Sequence, residues 1–301
     1  MPTECSLFGL KVRSELPLPG FPQGPPGEAD VEIRFGVVPA GPPGWVSVTE
    51  AGELLLQISS VGRFRVSGGR EIVIDPNPDA SERNQRVFLL GSAFGALLHQ
   101  RGLLPLHANA VEIGGRACLF IGRSGAGKST LAAWFHDRGH RVLADDVCAI
   151  SLDGGKAMAM PGVPRLRLWK DAVERSGRST DSFERSFDGH DKFDVPTRSG
   201  PDLRPLAVAA CYILDSTEGA EGEPRLDPLT GLDALDALVA NTYRGAFVPL
   251  TGASERHVKA CLALMKSVPV FRAVRRWGSD SYEEEAIRLE RHAAEIATVP
   301  A

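Results

Sequence analysis

A glycine-rich segment has the residue types and spacing of a phosphate-binding loop. Residues 122–129 read Gly-Arg-Ser-Gly-Ala-Gly-Lys-Ser, a full match to G-x-x-x-x-G-K-[ST]. The match follows an apolar strand candidate and opens a helix candidate, which is the context that this pattern requires. Glycines let backbone N–H groups turn toward phosphate oxygens, and the helix N-terminus adds positive potential. The predicted loop comprises Gly122, Arg123, Ser124, Gly125, Ala126, Gly127, Lys128, Ser129 and Thr130.

Two side chains of this loop would act directly on a nucleotide. Lys128 would neutralise the β- and γ-phosphates as a point charge, and Ser129 would place its hydroxyl on Mg²⁺. The cofactors implied are therefore ATP and Mg²⁺. The alternative is a glycine-rich turn that binds no ligand.

A pair of acids follows the loop at the distance of one helix, a turn and a strand. Asp145 and Asp146 end the short apolar segment Arg141–Ala144. One carboxylate of such a pair can hold the metal ion, while the other accepts the proton of an attacking hydroxyl. A solvated turn is the alternative.

His107 lies on the strand candidate that precedes the phosphate-loop strand. Gly114-Gly115 separates the two strand candidates and indicates an antiparallel hairpin. This pairing would bring His107 to the same end of the sheet as the loop, where it could orient Asp146 or share a proton with it. The alternative is a histidine that is hydrogen-bonded for structural reasons alone.

The elements around these residues predict an α/β protein. Residues 1–78 read as short strands, the first over Ser6–Val12, separated by Pro- and Gly-rich turns, so we expect a small β-rich N-terminal domain. A helix is predicted from Ser81 to Gln100, with Gly91 and Gly95 packed closely against another element. Strands and helices then alternate in a phosphate-loop domain that spans residues 79–301, whose last helix has a predicted capping box, Ser281 with Glu284.

Composition restricts the class of protein further. A net charge of −4 with 24% charged residues argues against nucleic-acid binding through bulk charge. We find no signal sequence and no apolar run long enough for a membrane span, so a cytoplasmic protein without a membrane partner is expected. The five cysteines are widely spaced, which argues against a disulfide framework or a zinc site. Cys118, Cys148 and Cys211 lie in apolar runs, which favours small core residues.

Residues 106–150 resemble the core of the HPr kinase/phosphorylase family. The shared features are the histidine before the hairpin, the phosphate loop on its second strand, Arg-Gly-His-Arg, and Ala-Asp-Asp followed by apolar residues. The resemblance implies an HPr-kinase-like P-loop kinase core, distantly akin in fold to phosphoenolpyruvate carboxykinase, and an ATP-dependent serine kinase. It assigns the phosphate and Mg²⁺ roles to Lys128 and Ser129. It also makes Asp145 a metal ligand, Asp146 the base and His107 the partner of that base.

The sequence departs from the bifunctional members of that family. Thr130 replaces a glutamate, and residues 160–169 (MPGVPRLRLW) replace a glycine-rich signature involved in phosphorolysis, which argues against phosphorylase activity. Residues 8–22, 161–174 and 269–277 are similar to HPr-kinase-like proteins encoded with lasso-peptide biosynthesis genes. Those relatives phosphorylate a serine, typically the C-terminal one, of a ribosomally made precursor peptide.

The expected reaction is transfer of the ATP γ-phosphoryl group to a serine of such a peptide. Arg165, Arg167 and Lys192 are candidates for further phosphate contacts, with solvated surface charges as the alternative. Lys192 belongs to the polar stretch 174–194, which is either a mobile functional loop or an insertion without function. An HPr-like carrier protein, a small metabolite or a non-catalytic ATP-dependent switch remain alternatives. A homo-oligomer is compatible with the sequence, which does not fix the oligomeric state.

Overall fold

The computed structural model describes residues 2–197, 204–217, 223–276 and 282–298. Its strands are β1 (Thr3–Leu7), β2 (Leu10–Ser14), β3 (Val31–Phe35), β4 (Val46–Val48), β5 (Leu54–Ile58), β6 (Gly62–Ser67), β7 (Glu71–Pro76), β8 (Leu104–Leu106), β9 (Ala108–Ile113), β10 (Arg116–Ile121), β11 (Val142–Ala144), β12 (Cys148–Ser151), β13 (Met158–Ala159), β14 (Arg165–Trp169), β15 (Glu184–Arg185), β16 (Lys192–Pro196), β17 (Leu206–Thr217), β18 (Arg225–Leu229) and β19 (Val270–Arg276). Its α-helices are α1 (Glu82–Phe88), α2 (Phe94–Gln100), α3 (Lys128–Asp137), α4 (Lys170–Arg175), α5 (Gly231–Ala240), α6 (Phe247–Leu250), α7 (Ser254–Ser267) and α8 (Tyr282–Thr298). The protein is thus a mixed α/β structure with several sheets.

The first seven strands form one sheet, in the order β1-β2-β3-β7-β6-β5-β4. The sequence predicted a single strand over Ser6–Val12, and this prediction was wrong. The chain turns at Phe8 and Gly9, both with positive φ, so that β1 and β2 form a hairpin. Phe8 also donates its backbone N–H to the carbonyl of Pro161 at 2.8 Å. This contact joins the first sheet to the segment that leads into β14.

The helix predicted between Ser81 and Gln100 is present but interrupted. Ser81 is its N-cap, and the Ser81 hydroxyl accepts a hydrogen bond from the backbone N–H of Asn84. A π-helical segment, Leu89–Ala93, joins α1 to α2. A Cβ atom at Gly91 or Gly95 would lie about 3 Å from the ring or hydroxyl of Tyr243, so this helix packs closely against that residue. Its apolar side chains are buried in the core of the first sheet, and the predicted boundary at residues 78/79 stays a prediction.

A nine-stranded sheet holds the phosphate loop. Its main order is β11-β9-β10-β17-β13-β12-β8, with β19 beside β17 and β18 at its edge. Strand β9 runs antiparallel to β10 across Gly114-Gly115, whereas β17 runs parallel to both β10 and β19. Side chains of β10 alternate between two buried clusters, one shared with α3 and α8 and the other with α5 and α7. Burial on both faces explains why this strand is a continuous apolar run.

A third sheet, ordered β14-β16-β15, is built from the region after β13. The polar stretch 174–194 contributes a short 3₁₀ turn, Thr180–Ser182, and the strands β15 and β16. Asp188 connects this stretch to α1, since its carboxylate accepts hydrogen bonds from Ser81 at 2.6 Å and Arg83 at 3.1 Å. The polar stretch is therefore folded and tethered to the first helix.

Two further expectations concern the cysteines and the helices. All five cysteines are unpaired and buried, which confirms the core positions predicted for Cys118, Cys148 and Cys211 and adds Cys5 and Cys261. Within the part of the chain that the structure describes, no helix has the length and apolar character to cross a membrane. Ser281, predicted to cap the last helix, lies outside the described residues.

His99 gives the fold a predictable acid sensitivity. Its side chain is 2% exposed, and burial lowers its pKa to about 4, with the charges of His257 and Arg256 acting in the same direction. The unfolded chain therefore binds a proton between pH 6.5 and 4 that the folded chain does not. We expect this group to remove about 3 kcal/mol of unfolding free energy between pH 7 and pH 4.

Urea unfolding of the protein and of His99→Gln at both pH values measures this contribution. The variant is expected to lose about 3 kcal/mol less on acidification. If both proteins lost the same unfolding free energy on acidification, His99 would not be the group responsible.

Candidate active site

The loop between β10 and α3 has the backbone of a phosphate cradle. Gly125 and Gly127 have φ values of 85° and 75°, which side chains with a Cβ rarely adopt. A Cβ at Gly122 would lie 3.1 Å from the Cβ of Ala126, so the loop closes tightly there. Gly127 is the N-cap residue of α3 and has no side chain to cap the helix. The first N–H groups of α3 are thereby left for an anionic ligand.

Lys128 is buried against the loop that it follows. Its Nζ donates to the carbonyl oxygens of Gly122 at 2.7 Å and Arg123 at 3.0 Å. Burial lowers the pKa of Lys128 to about 8, although the carboxylates of Asp146 and Asp145 favour its charged form. The loop thus holds a largely protonated ammonium group at neutral pH, close to two acids and at the mouth of the phosphate cradle.

Asp145 lies directly against the helix start. Its Oδ1 accepts a hydrogen bond from the Ser129 hydroxyl at 3.0 Å, and its Oδ2 accepts one from the backbone N–H of Arg167 at 2.7 Å. Burial raises the pKa of Asp145, and the charge of Asp146 raises it further. A cation beside Asp145 would offset both effects.

Asp146 is turned toward the same site by an unusual backbone conformation. Its φ is 72°, in the left-handed region that Asp tolerates better than most residues. Consecutive side chains of an extended strand point to opposite faces, and this turn brings both carboxylates to one small cavity, of about 10 Å³. Burial opposes ionisation of Asp146, but the positive charges around it outweigh burial and lower its pKa. Asp146 is therefore ionised at neutral pH.

The structure places His107 beside Asp146. His107 Nδ1 lies 3.0 Å from the backbone carbonyl oxygen of Asp146 and 3.2 Å from its Oδ1. Both neighbours are acceptors, so the proton of the neutral ring lies on Nδ1. Burial lowers the pKa of His107, and the charge of Lys128 lowers it further. The ring is thus neutral at pH 7 and donates to Asp146.

The three further basic residues are brought to this region by the third sheet. Arg167 Nη1 lies 3.7 Å from Asp146 Oδ2, and Arg165 lines the small cavity that both aspartates face. Lys192 pairs with Trp169 across β14 and β16, with its ammonium group 5.7 Å from the indole centroid. Its charge acts on Lys128 and on both aspartates. None of the three is an isolated surface charge.

Several residues that support the site were not singled out from the sequence. Asn109 is fully buried on β9 and donates from Nδ2 to the Lys128 carbonyl at 2.5 Å. Arg275, buried on β19, donates to the Ala126 carbonyl at 2.5 Å and so braces the loop. The Tyr243 ring packs on His107 with its centroid 5.9 Å away. The only signal for Tyr243 in the sequence was the Gly91/Gly95 spacing, which indicates close packing without identifying the partner.

Ser129 and Asp145 fit the coordination of magnesium. In the described ranges, no group of three or more His, Cys, Asp or Glu side chains is arranged to hold a metal ion. Magnesium bound with a nucleotide takes most of its ligands from phosphate and water oxygens, so one or two protein oxygens suffice. The paired hydroxyl and carboxylate oxygens, 3.0 Å apart, would supply them.

Comparison with known proteins shows a local similarity. No family model matches the chain. Curated HPr kinase/phosphorylases match over about a fifth of it: 42% identity over 60 residues for the Treponema pallidum protein (20% of this chain, 19% of that protein) and 38% over 56 residues for the Chlorobium phaeobacteroides protein (19% and 16%). The match thus spans less than a fifth of each relative's length. The solved HPr(Ser) kinase/phosphatase of Coxiella burnetii aligns over 64% of this chain and 98% of its own, with 16% identity and a TM-score of 0.35.

Removing the Ser129 hydroxyl tests the metal assignment. In Ser129→Ala we expect the Mg²⁺ concentration for half-maximal binding of a fluorescent ATP analogue to rise roughly tenfold, because one oxygen ligand is lost. Ser151 offers a matched control, since its hydroxyl also donates to an aspartate (Asp153) at 3.0 Å but outside the site. An identical Mg²⁺ requirement in Ser129→Ala and Ser151→Ala would refute the assignment.

Proposed function

We propose that this protein is an ATP-dependent kinase that transfers the γ-phosphoryl group to a serine hydroxyl. The observation that supports this most directly is the placement of a second, ionised carboxylate, Asp146, beside the acid that pairs with Ser129. A nucleotide-binding switch needs one acid for its metal ion. A kinase also needs a group that takes the proton of the acceptor hydroxyl. Asp146, with His107 as its partner at 3.2 Å, can take that proton.

The transfer is a direct displacement. The serine oxygen forms a bond to the γ-phosphorus while the bond from that phosphorus to the β–γ bridging oxygen breaks, and ADP leaves. Asp146 takes the proton of the serine hydroxyl. Because phosphoryl transfer passes through a loose transition state, the base has to orient the hydroxyl and accept its proton late, and a carboxylate of low pKa is sufficient.

The surrounding residues position the charges for this step. Lys128 stabilises negative charge on the β- and γ-phosphates, with the Nζ held at the loop mouth by two carbonyls. His107 fixes the Asp146 carboxylate through its Nδ1–H. When bound, magnesium neutralises phosphate charge, and Ser129 and Asp145 are the residues that would hold it.

A ribosomally made precursor peptide, of the lasso-peptide type, is the acceptor that we propose. Residues 160–169, which differ from the bifunctional HPr kinases, comprise β14 and the segment before it, and they include Arg167, whose Nη1 lies 3.7 Å from Asp146 Oδ2. This supports an acceptor side formed by the part of the chain whose sequence is similar to the peptide-kinase branch. We propose the C-terminal serine of the peptide as the group phosphorylated.

A folded carrier protein is the second candidate acceptor. It is favoured by the curated relatives, which are named HPr kinase/phosphorylase and match this chain at 36–42% identity over 56–61 residues. This candidate predicts transfer to a folded HPr-like protein and none to a short peptide.

Mass spectrometry distinguishes these acceptors. After incubation with Mg-ATP, a lasso-type precursor peptide ending in serine is expected to gain one phosphate, about 80 Da, because in this proposal Asp146 takes the proton of its serine hydroxyl. The matched control peptide ends in alanine, and an HPr-like protein is incubated in parallel.

A mass gain by the HPr-like protein alone would replace the peptide by a carrier protein as acceptor. No gain in any reaction, with binding of Mg-ATP measured separately, would contradict the proposed transfer to serine while leaving the phosphate loop in place.

A further inference from the structure

A cavity of about 410 Å³ opens beside the aspartates, between the first sheet and the third. Pro19, Gly20 and Phe21 line one side, and residues of β14–β16 line the other. It shares Val163 and Arg165 with the small cavity that Asp145 and Asp146 face. A volume of this size accommodates a few residues of an extended peptide next to the reacting hydroxyl.

Three arginines line this cavity, and each is paired with a carboxylate: Arg83 with Asp188 and Glu184, Arg86 with Glu82, and Arg165 with Asp194. Two acids also line it, but the Glu184 side chain is 77% exposed and is screened by solvent. The other acid, Asp194, is partly buried; it accepts from Arg165 and from the Ser186 hydroxyl, and also lies 3.8 Å from Arg167. One partly buried carboxylate therefore lies beside two partly buried guanidinium groups.

The arginines retain donors that no described residue satisfies. Arg165 Nη1 is paired with Asp194, whereas its Nε and Nη2 are buried and have no hydrogen-bond partner among the described residues. Nε and Nη2 form the edge of a guanidinium that binds a carboxylate through two parallel hydrogen bonds. Nε of Arg83 is also buried and has no hydrogen-bond partner among the described residues. A buried donor without a hydrogen-bond partner destabilises the folded protein. A hydrogen bond from these donors to an acceptor in the cavity would remove that cost.

The charges of these arginines also disfavour one another. Burial lowers the pKa of Arg165 to about 10, and the charges of Arg167 and Arg86 lower it further, against the opposing effect of Asp194. A negative group in the cavity would relieve this repulsion.

We propose that the cavity binds a carboxylate of the acceptor peptide, adjacent to the serine that is phosphorylated. This inference rests on the proposed kinase function and adds the recognition of the substrate to it. Residues 19–21, which follow β2, and the arginines of α1 then bind the substrate in addition to packing against the rest of the fold. The carboxylate is either the C-terminus of the peptide or an acidic side chain next to the serine, and the experiment separates these sources.

Binding of three fluorescein-labelled serine peptides, measured by anisotropy with Mg-ADP present, tests the proposal. The first ends in serine with a free carboxylate, the second is its amide, and the third is an amide with glutamate after the serine. We expect one carboxylate-bearing peptide to bind about tenfold more tightly than the plain amide, as a charge-assisted hydrogen bond would give. Arg83→Gln is expected to remove most of that preference while leaving Mg-ADP affinity unchanged.

Asp188→Asn is the matched control for a structural effect. It breaks the 3.1 Å ion pair between Arg83 and Asp188 but keeps the arginine charge, so the carboxylate preference is expected to persist. The proposal is overturned if the wild-type protein binds all three peptides equally or not at all. It is also overturned if Arg83→Gln keeps the preference or if Asp188→Asn loses it equally. Carboxylate-dependent binding without phosphoryl transfer to any of the three peptides would contradict the peptide as phosphoryl acceptor and leave the cavity assignment standing.

Discussion

Lys128 is buried at the start of α3, and its charge faces two consecutive carboxylates that follow β11. A buried ammonium group or a buried carboxylate is unstable without a partner of opposite charge, because removal from water disfavours every ionised group. The three groups tolerate burial because they neutralise one another and because hydrogen bonds complete the arrangement. Ser129 and the backbone N–H of Arg167 bind Asp145, while His107 binds Asp146. The phosphate loop, the proposed metal site and the proposed base thus depend on one electrostatic cluster.

The fold brings this cluster together from separate parts of the chain. The hairpin of β9 and β10 places His107 at the loop end of the central sheet, since the Gly122 backbone N–H donates to the His107 carbonyl at 3.3 Å. The third sheet adds Arg167 and Lys192. The first sheet contacts the segment before β14 through Phe8. Each of the three sheets therefore either carries a charged residue of the site or packs against a segment that carries one.

The sequence predicted the local parts of this site better than the long-range ones. The phosphate loop is contiguous and its glycines are dictated by backbone geometry, so a pattern of eight residues predicts it. The paired aspartates and His107 could be placed because strand order follows from short connections. Asn109, Tyr243 and Arg275 could not be singled out, since an isolated Asn, Tyr or Arg on an apolar segment has the same local pattern whether or not it reaches the loop. The left-handed turn at Asp146 and the split of the first strand at Phe8 are likewise tertiary effects.

The central claim is that Asp146 accepts the serine proton and does not hold the nucleotide. Asn tolerates the left-handed backbone at this position as Asp does, so Asp146→Asn preserves the turn while removing the base. The direct measurement is a rapid-quench single turnover with Mg-ATP and the serine-terminated peptide, combined with the dissociation constant for Mg-ATP. The account predicts transfer slowed by at least about a hundredfold, with nucleotide affinity within about threefold of the wild-type value. Transfer at the wild-type rate, or loss of nucleotide binding in parallel with transfer, would contradict it.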